Sequence, residues 1–222
     1  MPGAIKIQFL LTRAALSKSG WAATQFLLIL ALPLILLAAN ATGQDAKFTH
    51  QEILRGSITQ ERAWWDLKYY HLDIAVNPTN RTLQGQNTIR YQVIEPYQVM
   101  QVDLQNPMQI TKVTQGNKPL RVRRDGNAWF VSLNKRQKRG AIEEIVVQFE
   151  GQPQISKNPP WSGGLTWQKD GNGKPWVVTT CQGDGASLWW PCKDHQADEP
   201  DSMLISVTVP EELISMLSGS SA

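Results

Sequence analysis

Between Tyr70 and Phe149 apolar and polar residues alternate with a period of two, segment after segment, with no helical period between them. Tyr70, Leu72, Ile74 and Val76 are separated by His71, Asp73 and Ala75, and Asn77-Pro-Thr-Asn80 then turns the chain. Ile89, Tyr91 and Val93 alternate with Arg90 and Gln92, and Met100, Val102 and Leu104 with Gln101 and Asp103. Ile110 to Thr114 leads into Gln115-Gly-Asn117, and Glu144 to Phe149 closes the series before Gly151. Leu120–Arg123 and Ala128–Leu133 flank Asp125-Gly126, a pair that tolerates the positive φ angles of tight hairpin turns. Half-buried strands recurring every 8–12 residues or so predict an all-β, mostly antiparallel sheet or sandwich.

The first forty residues obey a different rule. Lys6, Arg13 and Lys18 precede any acidic residue, Phe26–Ala39 is uncharged, and Ala39-Asn-Ala41 ends it with small residues. A basic region, an apolar stretch of about 7–15 residues and a small-residue end describe a secretory leader. The competing reading is a membrane anchor, which needs about 20 apolar residues; Thr24, Gln25 and Pro33 interrupt that length. The expected chain is therefore exported, periplasmic or extracellular, and membrane-tethered only if the leader stays attached.

Without residues 1–41 the 22 basic and 19 acidic side chains fall to an even balance. A neutral surface offers no electrostatic reason for a nucleic-acid partner. The one basic cluster, Lys135–Arg139, has no interleaved aromatic and reads as a solvated turn. Export would also expose Cys181 and Cys192 to an oxidising compartment, where a disulfide between them is an open option that sequence does not decide.

Residues 151–200 are rich in Gly, Pro and Trp. Trp176–Cys181 reads as a strand, Leu204–Val209 as the next, and the segment between them as a loop on a rigid frame. In that loop His195 and Glu199 are spaced for one helical face, yet Pro200 pushes Glu199 away from helical geometry. A zinc site needs three or four ligands, and His50 and His71 lie far off in sequence. Asp194, Asp198, Glu199 and Asp201 read as surface carboxylates, Ser187 lacks a nucleophile elbow, and Gly183-Asp-Gly185 lacks the residues of a phosphate loop. The tryptophans are expected to form a packed aromatic layer, with peptide or glycan stacking as the other reading.

Pro159-Pro-Trp-Ser-Gly-Gly164, Gly173-Lys-Pro-Trp176, Cys181-Gln182 and Ser187-Leu-Trp-Trp-Pro-Cys-Lys-Asp-His-Gln-Ala-Asp-Glu-Pro200 together resemble the N-terminal domain of the aminopeptidase N family of zinc metallopeptidases, in its bacterial exported branch. The resemblance covers roughly residues 64–213, and Val207-Thr-Val-Pro-Glu-Glu212 fits the end of the next strand. It implies a saddle-like, largely antiparallel β domain packed on a catalytic domain, with peptide as substrate and zinc as the cofactor of the full-length enzyme. It also implies a role for Gln182, the residue that in the family points into the cleft and holds the substrate's free α-amino group. An amide oxygen can accept from an ammonium without adding charge.

The sequence departs from the family in two places. It contains no His-Glu pair, hence no His-Glu-x-x-His, and no Gly-x-Met-Glu-Asn. The resemblance thus implies a fragment truncated before the catalytic domain, with no catalytic or metal-binding residue of its own and inactive alone. The expected organisation is a leader over 1–41, a polar segment over 42–63 with helical character near Gln51–Arg62, a β domain over 64–213 and a tail over 214–222. The alternative is a stand-alone exported β module that binds peptide or glycan through its tryptophans.

Overall fold

The structure, a computed structural model, describes residues 4–12, 48–181 and 183–216. It begins with β1 (Ala4–Thr12), followed by α1 (His50–Gly56) and α2 (Gln60–Ala63). Strands β2 (Trp65–Asn77), β3 (Thr82–Val93), β4 (Val99–Asp103), β5 (Gln109–Gln115) and β6 (Lys118–Pro119) come next. Then come β7 (Arg121–Asp125), β8 (Ala128–Ser132), β9 (Ile142–Gly151), β10 (Gly164–Lys169), β11 (Pro175–Thr180) and β12 (Ser202–Pro210).

Seven strands form one sheet in the order β1-β12-β2-β3-β9-β5-β6, while β4-β8-β7 and β10-β11 form smaller sheets. Every pairing between these strands is antiparallel except β12 with β2, which is parallel. A parallel neighbour needs a long crossover, and here the smaller sheets and the Gly/Pro-rich loops supply it. The Asp125-Gly126 hairpin forms as its residues predict: Asp125 pairs with Ala128 and Gly126 takes a φ of +60°.

One contiguous core joins the sheets. Leu72, Ile89, Val102, Val131, Ile145 and Val147 are all sealed from solvent, each contributing on the order of 1.5–3 kcal/mol relative to exposure. Alternation fails as a guide at β4, where Gln101 and Asp103 are buried along with Met100 and Val102. The helices explain this. Thr49 caps α1 in a reciprocal box with Glu52, and near the other end of α1 the Leu54 carbonyl accepts from Gln101 Nε2 at 3.0 Å. Thr59 Oγ1 donates to Gln101 Oε1 at 3.0 Å, and Arg62 reaches Asp103. The face of β4 that the pattern marks as polar is roofed by polar partners. In the basic cluster Lys135, Arg136, Lys138 and Arg139 are exposed, but Gln137 turns inward and donates to the Lys135 carbonyl at 2.8 Å.

Among the described residues no helix is long and apolar enough to cross a membrane. The apolar run of the expected leader lies outside the described residues, as does the tail from 217.

Candidate functional site: the loop after β11

β11 leads directly into the segment that the sequence singles out. Its first turn is tight: the amides of Asp184 and Gly185 both donate to the Cys181 carbonyl, at 3.2 and 2.9 Å. Gly183 and Gly185 take φ of +77° and +82°, a region favouring glycine. A Cβ on Gly185 would stand 2.0 Å from Asp194 Oδ2. A single 3-10 turn, Ala186–Leu188, follows.

The loop's polar groups are spent on attachment. Cys192 and Asp103 exchange backbone hydrogen bonds of 2.8 and 3.1 Å, stitching the loop to the end of β4. Asp103 Oδ2 accepts from Arg62 Nη2 at 2.7 Å and from the Asp194 amide at 3.0 Å, and its Oδ1 accepts from Gln101 at 2.9 Å. Burial pushes the Asp103 carboxyl above its ordinary value, against the pull of the Arg62 guanidinium. Asn87, buried on β3, donates to the Pro191 carbonyl at 2.8 Å. The Tyr70 hydroxyl accepts from the Lys193 amide at 2.8 Å, beneath an edge-on contact with Trp190.

Lys193 turns inward. Its ammonium lies 4.1 Å from the centre of the Trp65 ring, donates to the Trp65 carbonyl at 2.7 Å and pairs with Asp198. Burial lowers its pKa, and Asp198 works against that shift. Asp198 in turn accepts from the Leu67 amide at 3.2 Å. Asp194 accepts from Ser187 Oγ at 2.5 Å. Ser187 also accepts from Gln105 Nε2 at 3.0 Å, while His195 Nε2 meets the Gly56 carbonyl at 3.3 Å instead of Ser187. No acid–base relay is assembled there. The carboxylates that sequence places at the surface as Asp194 and Asp198 are latches between loop and sheet.

Cys181 and Cys192 are free thiols. Cys181 Sγ accepts from Trp189 Nε1 at 3.2 Å, and Cys192 is buried. Burial pushes both thiols above their ordinary value, Cys192 strongly. Gln182, the expected substrate-binding residue, lies outside the described residues, between Cys181 and Gly183.

The tryptophans do not form one packed layer. Trp64, Trp65, Trp129 and Trp190 are buried, but Trp161 and Trp176 are 74% and 55% exposed. Trp176 shares a face of the β10–β11 hairpin with Val178, also exposed, because residues two apart on a strand point the same way. Among the described residues no other named strand pairs with the hairpin, whose β10 edge meets only an isolated bridge from Ile155 to Leu165.

The residues that could hold a metal are scattered. His50 pairs with Asp125 at 2.9 Å and His71 with Ser206 at 3.0 Å, whereas His195 meets the Gly56 carbonyl. Among the described residues no three His, Cys, Asp or Glu side chains converge on a point. The described side chains do not fit a zinc cage.

Sequence reasoning passed over Arg62, Asn87 and Tyr70 as parts of this site. Their signals were faint: a charge one residue removed from Trp64-Trp65, an amide inside a strand, and a tyrosine indistinguishable from ordinary core.

Residues 67–221 match the family described as Peptidase M1 N-terminal domain, and the chain belongs to it. The fold is similar to that of a two-domain M1 zinc metallopeptidase mutant bound to L-arginine, at 23% identity and a TM-score of 0.54. It is likewise similar to an M1 zinc metallopeptidase from Deinococcus radiodurans, at 21% identity and a TM-score of 0.54. Each alignment covers 67% of this chain and 33% of the other, so the chain spans about a third of their length. Native leukotriene A4 hydrolase from Saccharomyces cerevisiae aligns at 14% identity with a TM-score of 0.50, over 64% of this chain and 23% of the other. No curated protein sequence is similar enough to count as a relative.

Proposed function

We propose that this chain is the cleft-forming N-terminal domain of an exported zinc-dependent aminopeptidase that removes N-terminal amino acids from peptides. Gln182 is the residue that accepts a hydrogen bond from the substrate's α-ammonium group. One observation carries the reading: the family match includes β11 and the latched loop after it, and Gln182 occupies their junction in the sequence. A group that orients a substrate needs a fixed base, because misplacement by about 1 Å can cost on the order of a hundredfold in rate. Asp103, Asn87, Tyr70 and Lys193 give the loop such a base.

The metal and the general base belong to a catalytic domain outside these residues, since the three histidines of the chain are dispersed and none is followed by Glu. On this reading the chain is inactive alone, and the exposed face of Trp176 and Val178 is covered in the complete enzyme. The same exposed tryptophans favour a second reading, a self-sufficient exported module that stacks peptide or glycan on Trp161 and Trp176.

The test joins this chain to the zinc-binding domain of a two-domain M1 metallopeptidase. Release of amino acids from a peptide requires both parts, and Gln182→Ala raises KM for substrates with a free α-amine while zinc content stays the same. Indifference of the joined enzyme to Gln182→Ala overturns the assigned role. Chelator-sensitive aminopeptidase activity of this chain alone overturns the division of labour. Saturable quenching of tryptophan fluorescence by an oligosaccharide, lost in Trp161→Ala, supports the second reading.

A further inference from the structure

The basic end of the expected leader has a place in the fold. Ala4–Thr12 lies antiparallel along β12 in nine consecutive pairs, from Ala4 with Pro210 to Thr12 with Ser202. The two strands match in chemistry as well as length. Ile5, Ile7, Phe9 and Leu11 stand opposite Val209, Val207, Ile205 and Met203, and residues opposite each other in a sheet share a face. Phe9 and Leu11 pack against the core. On the other face Lys6 pairs with Asp73 at 2.7 Å and Gln8 Nε2 donates to Ser206 at 3.0 Å, while Leu10 is 67% exposed. A one-residue slip would exchange these faces.

β12 is the penultimate strand of the large sheet, with β2 on its other side. Take β1 away and the outer edge of β12 becomes a row of unpaired N–H and C=O groups, a template for any extended segment. Export removes β1 by either route. Cleavage after Ala41 discards it. Retention with the apolar stretch around Phe26–Ala39, counted back to Trp21, across a bilayer puts Ala4–Thr12 on the opposite side from β12.

We propose that the outer edge of β12 is a strand-accepting surface, that Ala4–Thr12 occupies it in the unexported chain, and that this pairing competes with export by folding the start of the leader into the domain. The occupant is the chain's own N-terminus, chosen because its apolar alternation and its Lys6–Asp73 and Gln8–Ser206 contacts fit that edge. The competition with export rests on the leader reading; the pairing does not.

The experiment uses the full chain and two variants that add the same charge to the same segment. Phe9→Asp places a carboxylate on the core-facing side of β1, and Leu10→Asp places it in solvent. Hydrogen exchange is read on the β12 amides Met203–Val209, with β3 and β9 amides as internal references. Export is read as the fraction of chain whose leader is removed in a secreting bacterial cell. The expected result is at least tenfold faster exchange of alternate β12 amides in Phe9→Asp, with Leu10→Asp resembling the parent, and a processed fraction highest in Phe9→Asp. Equal β12 exchange in all three chains overturns the pairing. Unequal exchange with equal processing overturns the competition and leaves the accepting edge standing. Absence of processing in every chain removes the leader reading and the competition with it, while exchange still decides the pairing.

Discussion

Arg62 Nη2 and Asp103 Oδ2 form an ion pair of 2.7 Å whose side chains are 1% and 8% exposed. Both come from segments read as polar or half-exposed in the sequence, and together they tie α2, β4 and the loop at Asp194 into one unit. Buried charges hold only as a set, since either partner left alone keeps its desolvation cost.

Breaking that pair from one side is therefore expected to cost about 3–5 kcal/mol. Arg62→Met and Asp103→Leu should each lower the urea midpoint, and the double variant should lose less than the two single losses combined. A double-mutant cycle in full-length chains checks this. Additive losses would show that the two side chains act separately.

Gly185→Ala is expected to destabilise the fold by about 1–3 kcal/mol. The position has φ of +82°, and the new methyl group would collide with Asp194 Oδ2, loosening the Ser187–Asp194 latch. Gly171, with open space around its Cα and no left-handed φ, is the control and should change stability by less than about 0.5 kcal/mol as alanine. Equilibrium denaturation of the two variants side by side makes the comparison.

Tyr70→Phe leaves the Lys193 amide without its acceptor while keeping the ring against Trp190. An orphaned buried donor costs about 1–3 kcal/mol. The loss should appear as faster hydrogen exchange of Lys193 and its neighbours, with the β5–β9 pairing unaffected. An unchanged exchange rate at Lys193 would count against the latch.

The buried thiol of Cys192 sets an alkaline limit. Its folded value lies above the unfolded one, so the folded chain keeps a proton that the unfolded chain releases. Its contribution is complete below the ordinary thiol range near about 8.5 and declines as pH rises through that range, by at most about 1.4 kcal/mol per pH unit. Denaturation midpoints from pH 7 to 10 should fall less steeply in Cys192→Ala than in the parent. Parallel curves would remove Cys192 as the cause.

Trp161→Ser and Trp176→Ser should leave stability within about 0.5 kcal/mol, since both rings are largely in solvent. Binding of an apolar dye to the chain should fall in both. A stability loss comparable with that of a core tryptophan would show that the rings are covered in solution.

Much of the β architecture was legible because alternation is a local code. Tyr70–Val76, Ile89–Val93 and Glu144–Phe149 all became strands, and the hairpin at Asp125-Gly126 closed where its turn residues predict. The motif-rich loop was legible in kind, set between β11 and β12 as its Gly and Pro content implies. Its internal wiring was not. Asp103 and Gln101 look solvent-facing until α1 and α2 are placed over them, and Lys193 looks like any surface lysine until Trp65 lies beneath it.

The sequence by itself marked most of the strands between Tyr70 and Phe149, though not β1 or β10, and it carried the family pattern and the lack of a His-Glu pair, because each depends on residues close together along the chain. Tertiary structure alone decided that Asp194 and Asp198 are latches, that Trp161 and Trp176 stay uncovered while Trp190 does not, and that Ala4–Thr12 lies against β12. Those outcomes depend on partners from 5 to 206 residues away, Lys193 with Asp198 and Ala4 with Pro210 at the extremes, and burial and charge pairing have no value until the chain has brought the partners together.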